Sequence, residues 1–364
     1  MAGLYIHIPF CKSRCIYCGF YSTTNMEWRQ RYVDAVCKEM EMRRGMTERI
    51  QTIYIGGGTP SQLTTDQLCQ LFLYINKVYG SGEREVSIEV NPDDVTAAYA
   101  AMLLQQGINR VSMGAQTFDD ERLRFLHRRH TSEQVPLAVQ RLRDAGIHNI
   151  SVDLMYGFPN ETLADWEHDI DAALRLEVEH LSAYCLMVEE GTPLYRMGIE
   201  PCDEELERQM YELLIDKLTA AGYEHYEISN FAKPGFHSRH NSSYWQDIPY
   251  IGLGAAAHSY DGKCRSWNVA NLQAYVAAIE KGERPYEAEI LNDDTHYNDR
   301  VTVSLRTSEG LDLTTLSEKY RLYCLKEARQ FLKNGLLSHE GDFLKLTRKG
   351  LFVSDDIMSS LMCI

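Results

Sequence analysis

The chain has 364 residues, which is long for one compact domain and favours a large α/β domain followed by a smaller one. Its 37 Lys and Arg against 52 Asp and Glu give a net charge of −15, which argues against nucleic-acid partners and leaves at most peripheral membrane contact. No apolar run approaches the roughly 18 residues of a membrane span and no secretory signal is recognisable, so we expect the ten cysteines to be reduced thiols in the cytoplasm.

Short apolar strands alternate with longer amphipathic segments in the first half of the chain, a pattern typical of βα units around a parallel sheet. The predicted strands span residues 4–8, 52–55, 86–90, 110–113, 150–155 and 181–186. The predicted helices between them span residues 27–43, 65–79, 95–106, 133–145 and 163–176. Six such units are too few for a closed eight-unit barrel.

The first strand is followed by three cysteines within eight residues, Cys11, Cys15 and Cys18. Gaps of three and two residues let one loop aim three thiolates at one metal centre. Zinc is the main alternative, but a zinc site would need a second ligand pair downstream, and Cys37 and Cys69 are single cysteines in helical segments. The spacing therefore favours a four-iron cluster with one iron free to bind another molecule.

Glycines and polar residues follow the later strands. Residues 56–60 read Gly-Gly-Gly-Thr-Pro, and a backbone without Cβ atoms can approach a ligand closely. Glu89, Gln116 and Asp153 lie at the ends of three further strands. Each of them alone fits a salt-bridged rim residue equally well, but together they favour a polar ligand, because a buried unpaired carboxylate or amide is costly.

The C-x3-C-x2-C spacing resembles the signature of the radical S-adenosylmethionine (SAM) superfamily. The likeness extends over residues 5–11, the three-glycine segment, Gln116, Arg128 and residues 152–154, and it resembles the group that contains oxygen-independent coproporphyrinogen III oxidase and the heme chaperone HemW. Gly19 is a departure, since many relatives carry Asp there. Glycine instead of Asp at position 19 removes a carboxylate near the cluster but leaves all three cysteines in place.

The resemblance implies an α/β fold, a partial (β/α)6 TIM barrel of the radical SAM type with a small C-terminal α+β accessory domain. It implies a [4Fe-4S] cluster on Cys11, Cys15 and Cys18, and an electron donor of the flavodoxin or ferredoxin type. The SAM-binding residues that it implies are Tyr5, Gly57, Gly58, Thr59, Glu89, Gln116, Arg128 and Asp153. Without the resemblance, Tyr5 fits an ordinary strand aromatic and Arg128 a solvated charge.

Two features favour a heme chaperone over a decarboxylating oxidase. Oxidases of the group resemble one another in an N-terminal extension that encloses the porphyrinogen, whereas ten residues precede Cys11 here. The second feature is the segment His-Asn-Ser-Ser-Tyr-Trp at 240–245, whose pattern resembles heme-binding members of the group. The heme contacts that it implies are His240, Tyr244 and Trp245, with His237 and His258 as rival iron ligands. The residues alone also fit a hydrogen-bonded histidine.

We therefore predict a chaperone that binds heme and transfers it to acceptor proteins, as a monomer or a homodimer. The alternative is a coproporphyrinogen III dehydrogenase that decarboxylates propionates by means of a 5′-deoxyadenosyl radical. A radical SAM enzyme acting on another tetrapyrrole or small molecule is a third interpretation.

The predicted organisation has three parts: a core at 1–200, a heme-binding segment at 201–290 that completes it, and a winged-helix-like domain at 291–364. Helical patterns at 311–320 and 326–333 precede a hairpin at 335–347. Because no helix in this part carries clustered basic residues, we interpret it as a packing or heme-covering domain, not a DNA-binding one.

Overall fold

The computed structural model describes residues 2–46 and 49–363, and its first half is built from six parallel strands. They are β1 (Ala2–Ile8), β2 (Ile50–Gly57), β3 (Glu85–Val90), β4 (Arg110–Gln116), β5 (Asn149–Tyr156) and β6 (His180–Cys185). Each pairs in parallel with the next in chain order. All six predicted strands are confirmed, with ends that differ by at most three residues.

Helices cross between these strands and cover the outside of the sheet. They are α1 (Arg29–Met42), α2 (Thr65–Tyr79), α3 (Ala97–Gln105), α4 (Asp120–Phe125), α5 (Gln134–Ala145) and α6 (Leu163–Arg175), with 3-10 turns at Met26–Trp28, Pro60–Gln62 and Pro92–Asp94. Thr65 and Asp66 predicted the start of α2; in the structure, Thr64 and Thr162 cap α2 and α6 by capping boxes with Gln67 and Asp165. Five of the six helices match the predicted ones, and α4 was not predicted.

Six further strands extend the sheet at both edges. They are β7 (Glu224–Glu227), β8 (Asn230–Ala232), β9 (Tyr250–Leu253), β10 (His258–Tyr260), β11 (Cys264–Asn268) and β12 (Tyr286–Ile290). The full order is β12-β11-β10-β9-β1-β2-β3-β4-β5-β6-β8-β7. Because β1 pairs with β2 and β9 while β6 pairs with β5 and β8, the six-unit barrel stays open. The helices of this region are α7 (Pro193–Arg196), α8 (Glu204–Ala220), α9 (Arg239–Trp245) and α10 (Leu272–Lys281).

Helix α9 closes the barrel at the N-terminal ends of its strands. The backbone N–H groups of Arg239 and His240 donate to the two carboxylate oxygens of Glu85, the first residue of β3, at 2.9 Å each. The ring of His240 lies against Thr52 of β2 and the backbone of Gly3 in β1. The barrel therefore has a floor made by α9 and a mouth at the opposite, C-terminal ends of the strands.

The C-terminal part has its own hydrophobic core, formed by side chains between Tyr297 and Leu361. Its elements are α11 (Asp293–Leu305), β13 (Leu311–Asp312), α12 (Glu318–Glu327), α13 (Arg329–Lys333), β14 (Leu337–Glu340), β15 (Phe343–Leu346), α14 (Arg348–Leu351) and α15 (Ser354–Leu361). The hairpin β14–β15 confirms the predicted one. No helix in the described part of the chain is long and apolar enough to cross a bilayer.

The predicted helix at 311–320 is wrong over its first half. Leu311 pairs with Leu344 of β15, and a 3-10 turn, Leu313–Thr315, follows before α12 begins at Glu318. Leu311 and Leu313 are buried on either side of the half-exposed Asp312, which is the period-two pattern of a strand. The side chain of Asp312 accepts from the N–H of Thr314 and so stabilises the turn.

Candidate functional site

A cavity of about 680 Å³ opens at the mouth of the barrel and reaches down to α9. All three cysteines of the first loop line it, and so do seven of the eight residues predicted to bind SAM. These seven are Gly57, Gly58, Thr59, Glu89, Gln116, Arg128 and Asp153. The parallel topology brings together residues that lie up to about 140 positions apart in the chain, as expected for strand ends on one edge of a sheet.

The cysteine loop is held by backbone hydrogen bonds at its base and its middle. The N–H of Cys11 donates to Thr23 O at 2.9 Å, which closes the base. In the middle, the N–H of Ile16 donates to Leu126 O at 3.3 Å, and Ile16 O accepts from the N–H of Leu194 at 2.9 Å. Ile16 is buried in a small hydrophobic cluster beneath the loop. The path of the loop is thus fixed by contacts that do not use the thiols.

Hydrogen-bond donors lie beside two of the three thiols. Thr59 Oγ1 lies 3.5 Å from Cys11 Sγ, and Arg128 Nη1 lies 3.6 Å from Cys15 Sγ, so two donors face the sulfurs. Burial raises the pKa of the Cys11 and Cys18 thiols, which disfavours free thiolates there. A bound metal reverses this preference, because coordination deprotonates a thiol outright. Three soft sulfur ligands with hydrogen-bond donors around them fit an iron–sulfur cluster.

Two glycines at the end of β2 leave no room for side chains. Gly57 has a φ of +116°, and a Cβ there would lie 2.5 Å from ring atoms of His7. A Cβ on Gly58 would lie 2.8 Å from the carbonyl carbon of Pro9 and 3.0 Å from Cys11 Sγ. This segment therefore forms a backbone-lined wall directly beside the first cysteine.

Two half-buried carboxylates, Glu89 and Asp153, line the cavity. Glu89 Oε1 accepts from Tyr54 Oη at 2.8 Å, and its Oε2 accepts from the N–H of Gly57 at 3.0 Å. Burial raises the pKa of Glu89 to about 7. Asp153 accepts from Ser112 Oγ at 3.3 Å, and burial raises its pKa too. Carboxyl groups held in this way suit hydrogen bonds to a polar ligand.

Arg128 is fixed on one side and open on the other. Its Nη2 donates to Gly114 O at 2.5 Å and to Asn91 Oδ1 at 2.9 Å, while its buried Nε finds no acceptor among the described residues. Gln116 lies nearby at a bulge in β4 with a φ of +69°, a conformation that is costly for a residue with a side chain. A guanidinium with an unused N–H beside the cysteine loop fits an anionic group such as a carboxylate.

Tyr5 lies behind the wall of the cavity, not in it. His7 Nε2 donates to Tyr21 O at 2.9 Å, so its Nδ1 accepts from Tyr5 Oη at 2.9 Å. Burial lowers the pKa of His7 to about 4, which keeps the ring neutral and this arrangement intact. In this conformation Tyr5 supports the segment that leads into the cysteine loop.

The predicted heme residues lie in and beside the floor. His240 is fully buried, with Thr52 Oγ1 at 2.8 Å from Nδ1 and Tyr244 Oη at 2.8 Å from Nε2, so both ring nitrogens are occupied. Trp245 packs under the guanidinium of Arg306 at 5.5 Å. These residues are not part of the cavity lining, whereas their neighbour Asn241 is. The rival ligands lie apart: His237 bonds to Glu224, and His258 stacks on Trp267.

Several residues that line the deeper cavity were not predicted. They are Arg110 and Ser112 of β4, Ser151 of β5, and His180 and Ser182 of β6. In each strand the polar residues alternate with apolar ones, and this period of two marks the inner face of a barrel. This alternation is visible in the sequence, but it identifies only a polar inner face of the barrel and not the ligand that binds there.

Gly19 lies beside the carboxylate of Glu189. A Cβ at position 19 would come within 2.5 Å of Glu189 Oε2, and both residues line the cavity. The loop after β6 thus places a carboxylate next to the cysteine loop, although position 19 carries none.

Comparison with known proteins agrees with this geometry. A family profile described as the radical SAM superfamily matches residues 5–173, and one described as the HemN C-terminal domain matches residues 291–353. A protein of Bacillus subtilis (strain 168) named heme chaperone HemW is 35% identical, over 100% of this chain and 99% of its own length. The chain belongs to the HemW family. A second HemW, from Mycobacterium tuberculosis (strain ATCC 25618 / H37Rv), is 33% identical over 99% of this chain and 94% of its own length.

The fold of this HemW-family chain also matches a solved structure, described as the radical SAM enzyme coproporphyrinogen III oxidase (HemN) of Escherichia coli. The two superpose with a TM-score of 0.87 at 23% identity, covering 99% of this chain and 90% of that one. This likeness concerns the fold alone. It confirms the partial barrel of the radical SAM type and the small C-terminal domain that the sequence predicted.

Proposed function

We propose that this chain is a heme chaperone, which holds a [4Fe-4S] cluster and SAM in the cavity, binds heme and passes it to acceptor proteins. The observation that carries the proposal is the similarity to proteins named heme chaperone HemW, which extends along the full length of both chains for the Bacillus subtilis relative. The cavity supports it, because its donor groups match both cofactors in kind.

In this proposal each cofactor has its own set of residues. Cys11, Cys15 and Cys18 hold the cluster, and the wall formed by Gly57 and Gly58 lets SAM approach it. When bound, the two cofactors supply one-electron chemistry at low potential. The unused N–H of Arg128 pairs with the carboxylate of SAM, while Glu89 and Asp153 accept hydrogen bonds from its amine and hydroxyl groups. These residues bind and orient; none of them needs to exchange a proton for the chaperone function.

The mouth of the cavity suits the flat, apolar face of a porphyrin. Phe20, Tyr184 and Met187 line it, and their exposed fractions are 72%, 44% and 64%. Aromatic and thioether side chains pack well on porphyrin rings. We therefore place the heme face at the mouth. The segment 240–245 contributes to the shape of the floor and does not contact the iron. His240 could ligate iron only if it lost its hydrogen bond to Thr52 or Tyr244.

An anaerobic comparison tests the proposal. Protein reconstituted with cluster, SAM and a reductant is titrated with hemin, and the loaded protein is then mixed with apomyoglobin as a generic acceptor. We expect stable heme uptake, no conversion of coproporphyrinogen III in a parallel sample, and transfer of heme to the acceptor. Formation of protoporphyrinogen without stable heme uptake would instead establish the oxidase function.

Matched variants test the position of the heme. Phe20→Ala and Met187→Ala each remove an exposed apolar side chain from the mouth, and we expect each to weaken hemin binding roughly tenfold. Leu73→Ala removes a side chain with 67% exposure from the outer face of α2 and should leave binding unchanged. Equal effects at all three positions would mean that hemin adheres to exposed apolar residues without a specific site.

A further inference from the structure

The floor of the cavity contains a buried positive charge that makes no direct ion pair with the described residues, although the carboxylate of Asp153 is near enough to attract it. Arg110 is 1% exposed and lines the cavity from the start of β4. Within residues 2–46 and 49–363, no carboxylate oxygen lies within 4.0 Å of its guanidinium nitrogens, and its side chain makes no hydrogen bond. An unpaired charge inside a protein costs several kcal/mol. Such a group is retained where something pairs with it.

Two other arginines, the buried Arg43 and the half-buried Arg128, have direct partners, whereas Arg110 has none among the described residues. Arg43, 5% exposed, donates to Gly252 O at 2.7 Å and to Ser259 Oγ at 3.1 Å, and forms an ion pair with Glu39 at 3.5 Å. Arg128 has the three contacts described above. Arg110 is therefore not explained by the general packing of this fold.

The polar groups around Arg110 are already engaged with one another. Ser151 Oγ lies 2.8 Å from His180 Nδ1, and His180 Nε2 lies 2.7 Å from Tyr226 Oη. Asp153 accepts from Ser112. Asn241 differs, because it lines the cavity and its side-chain amide makes no hydrogen bond with the described residues. Two sets of free N–H donors, on Arg110 and Asn241, therefore face the same space at the floor.

We propose that Arg110, assisted by Asn241, forms a carboxylate-binding subsite at the floor of the barrel. A guanidinium presents two parallel N–H groups that match the two oxygens of a carboxylate, and the enclosed site strengthens the pair. Heme offers this group in its propionates, which the proposed function assigns to no residue; the carboxylate of SAM, which that function pairs with Arg128, is the other source that the test distinguishes. The inference rests on that function, since it assumes that one of these ligands enters the cavity.

The test compares Arg110→Gln with the wild type in three titrations: hemin, hemin dimethyl ester, in which both propionates are blocked, and SAM. We expect Arg110→Gln to weaken the binding of hemin at least tenfold and to leave the ester unaffected. If SAM binding weakens instead, the subsite holds the SAM carboxylate. Arg124→Gln is the control, because it removes an equal charge from an exposed position on α4 outside the cavity lining. If neither hemin nor SAM binds more weakly to Arg110→Gln than to Arg124→Gln, the subsite does not exist.

The Asn241→Ala variant and ligand binding by the wild type distinguish failure of the subsite from failure of the proposed function. Asn241→Ala should weaken the same ligand by about fivefold, the effect of one hydrogen bond, and it answers the question even if Arg110→Gln does not fold. No effect of Asn241→Ala on either ligand would exclude its assisting role. If the wild type binds neither hemin nor SAM, the proposed function itself fails. If both bind and the Arg110 variant matches the wild type, only the subsite fails.

Discussion

His240 is the residue whose sequence context and structural setting differ most. Its motif predicts contact with heme, yet its ring is sealed between Thr52 and Tyr244 in the floor of the barrel. A stacked contact with Tyr54, 5.2 Å between ring centroids, connects it further to the carboxyl group of Glu89. The motif can therefore affect ligand binding through the shape of the floor, without any bond from His240 to iron.

We predict that His240→Ala lowers the free energy of unfolding by about 3 kcal/mol without heme, because it leaves two buried hydroxyl groups unpaired and creates a cavity. Tyr244→Phe keeps the ring and removes one hydrogen bond, so it should cost about 1 kcal/mol. Urea denaturation of both variants measures the difference. Equal stability of His240→Ala and the wild type would show that the histidine is not held as described.

Glu89 makes stability depend on pH. Its pKa in the folded protein is about 7, above the ordinary value of 4.5. Between pH 4.5 and pH 7, Glu89 is therefore protonated in the folded protein and ionised in the unfolded chain. Its contribution is present below pH 4.5 and is lost as the pH rises through 7. Glu89→Gln stays neutral, and we therefore predict that it gains up to about 3 kcal/mol over the wild type between pH 5 and 8.

Urea denaturation at pH 5 and pH 8 measures this gain. Glu190→Gln, at an exposed position in the loop after β6, is the control for the loss of one carboxylate. A difference between Glu89→Gln and the wild type that stays constant over this range would contradict the assigned pKa.

At the scale of single elements, the floor helix α9 depends on a residue from a distant strand. Seven residues are too few for a stable isolated helix, so tertiary contacts must hold it. Glu85 supplies them by accepting from two N–H groups at the start of the helix, where a negative charge is also favoured by the helix dipole. The N-cap Ser238 adds a bond to the N–H of Asn241.

We predict that Glu85→Ala destabilises the protein by about 3 kcal/mol and speeds amide hydrogen exchange in α9, since two N–H groups lose a charged acceptor. Glu83→Ala, two residues earlier and exposed, should change neither property. Exchange rates measured residue by residue locate the effect. Exchange in α9 that matches the wild type would mean that the helix does not depend on Glu85.

The elements also show what the sequence could reveal. Strands of the barrel were predictable because each combines an apolar run with turn residues at its ends, and α2 because Thr65 and Asp66 precede an apolar run. The strand at Leu311 was missed, since a two-residue strand has no periodicity of its own and exists only through its pairing with Leu344. Likewise, the cysteine spacing predicted the residues at the mouth of the site. The floor could not be predicted in this way, because it depends on a contact between α9 and β3, which lie about 150 positions apart in the chain.

At the scale of the whole molecule, the C-terminal domain is joined to the barrel close to that floor. The N–H of Ile228 donates to Arg306 O, and the N–H of Ser308 donates to Tyr226 O, at 3.0 Å each. The guanidinium of Arg306 lies 3.5 Å from the carboxylate of Glu227, which is 2% exposed, and also covers the ring of Trp245 in α9. One side chain of the second domain therefore contacts both the sheet edge and the floor helix.

A comparison of two arginines tests this connection. Arg306→Ala leaves the buried Glu227 without its counter-ion and Trp245 without its cover, and we predict a loss of about 2 kcal/mol. Arg348→Ala breaks an ion pair with Asp216 in which both side chains are about half exposed, and such pairs contribute about 0.5 kcal/mol. If the domains are coupled through Arg306, its variant should also speed hydrogen exchange in α9, although the substitution lies outside the barrel. A loss of stability confined to the C-terminal domain, with unchanged exchange in α9, would mean that this domain folds beside the barrel without supporting its floor.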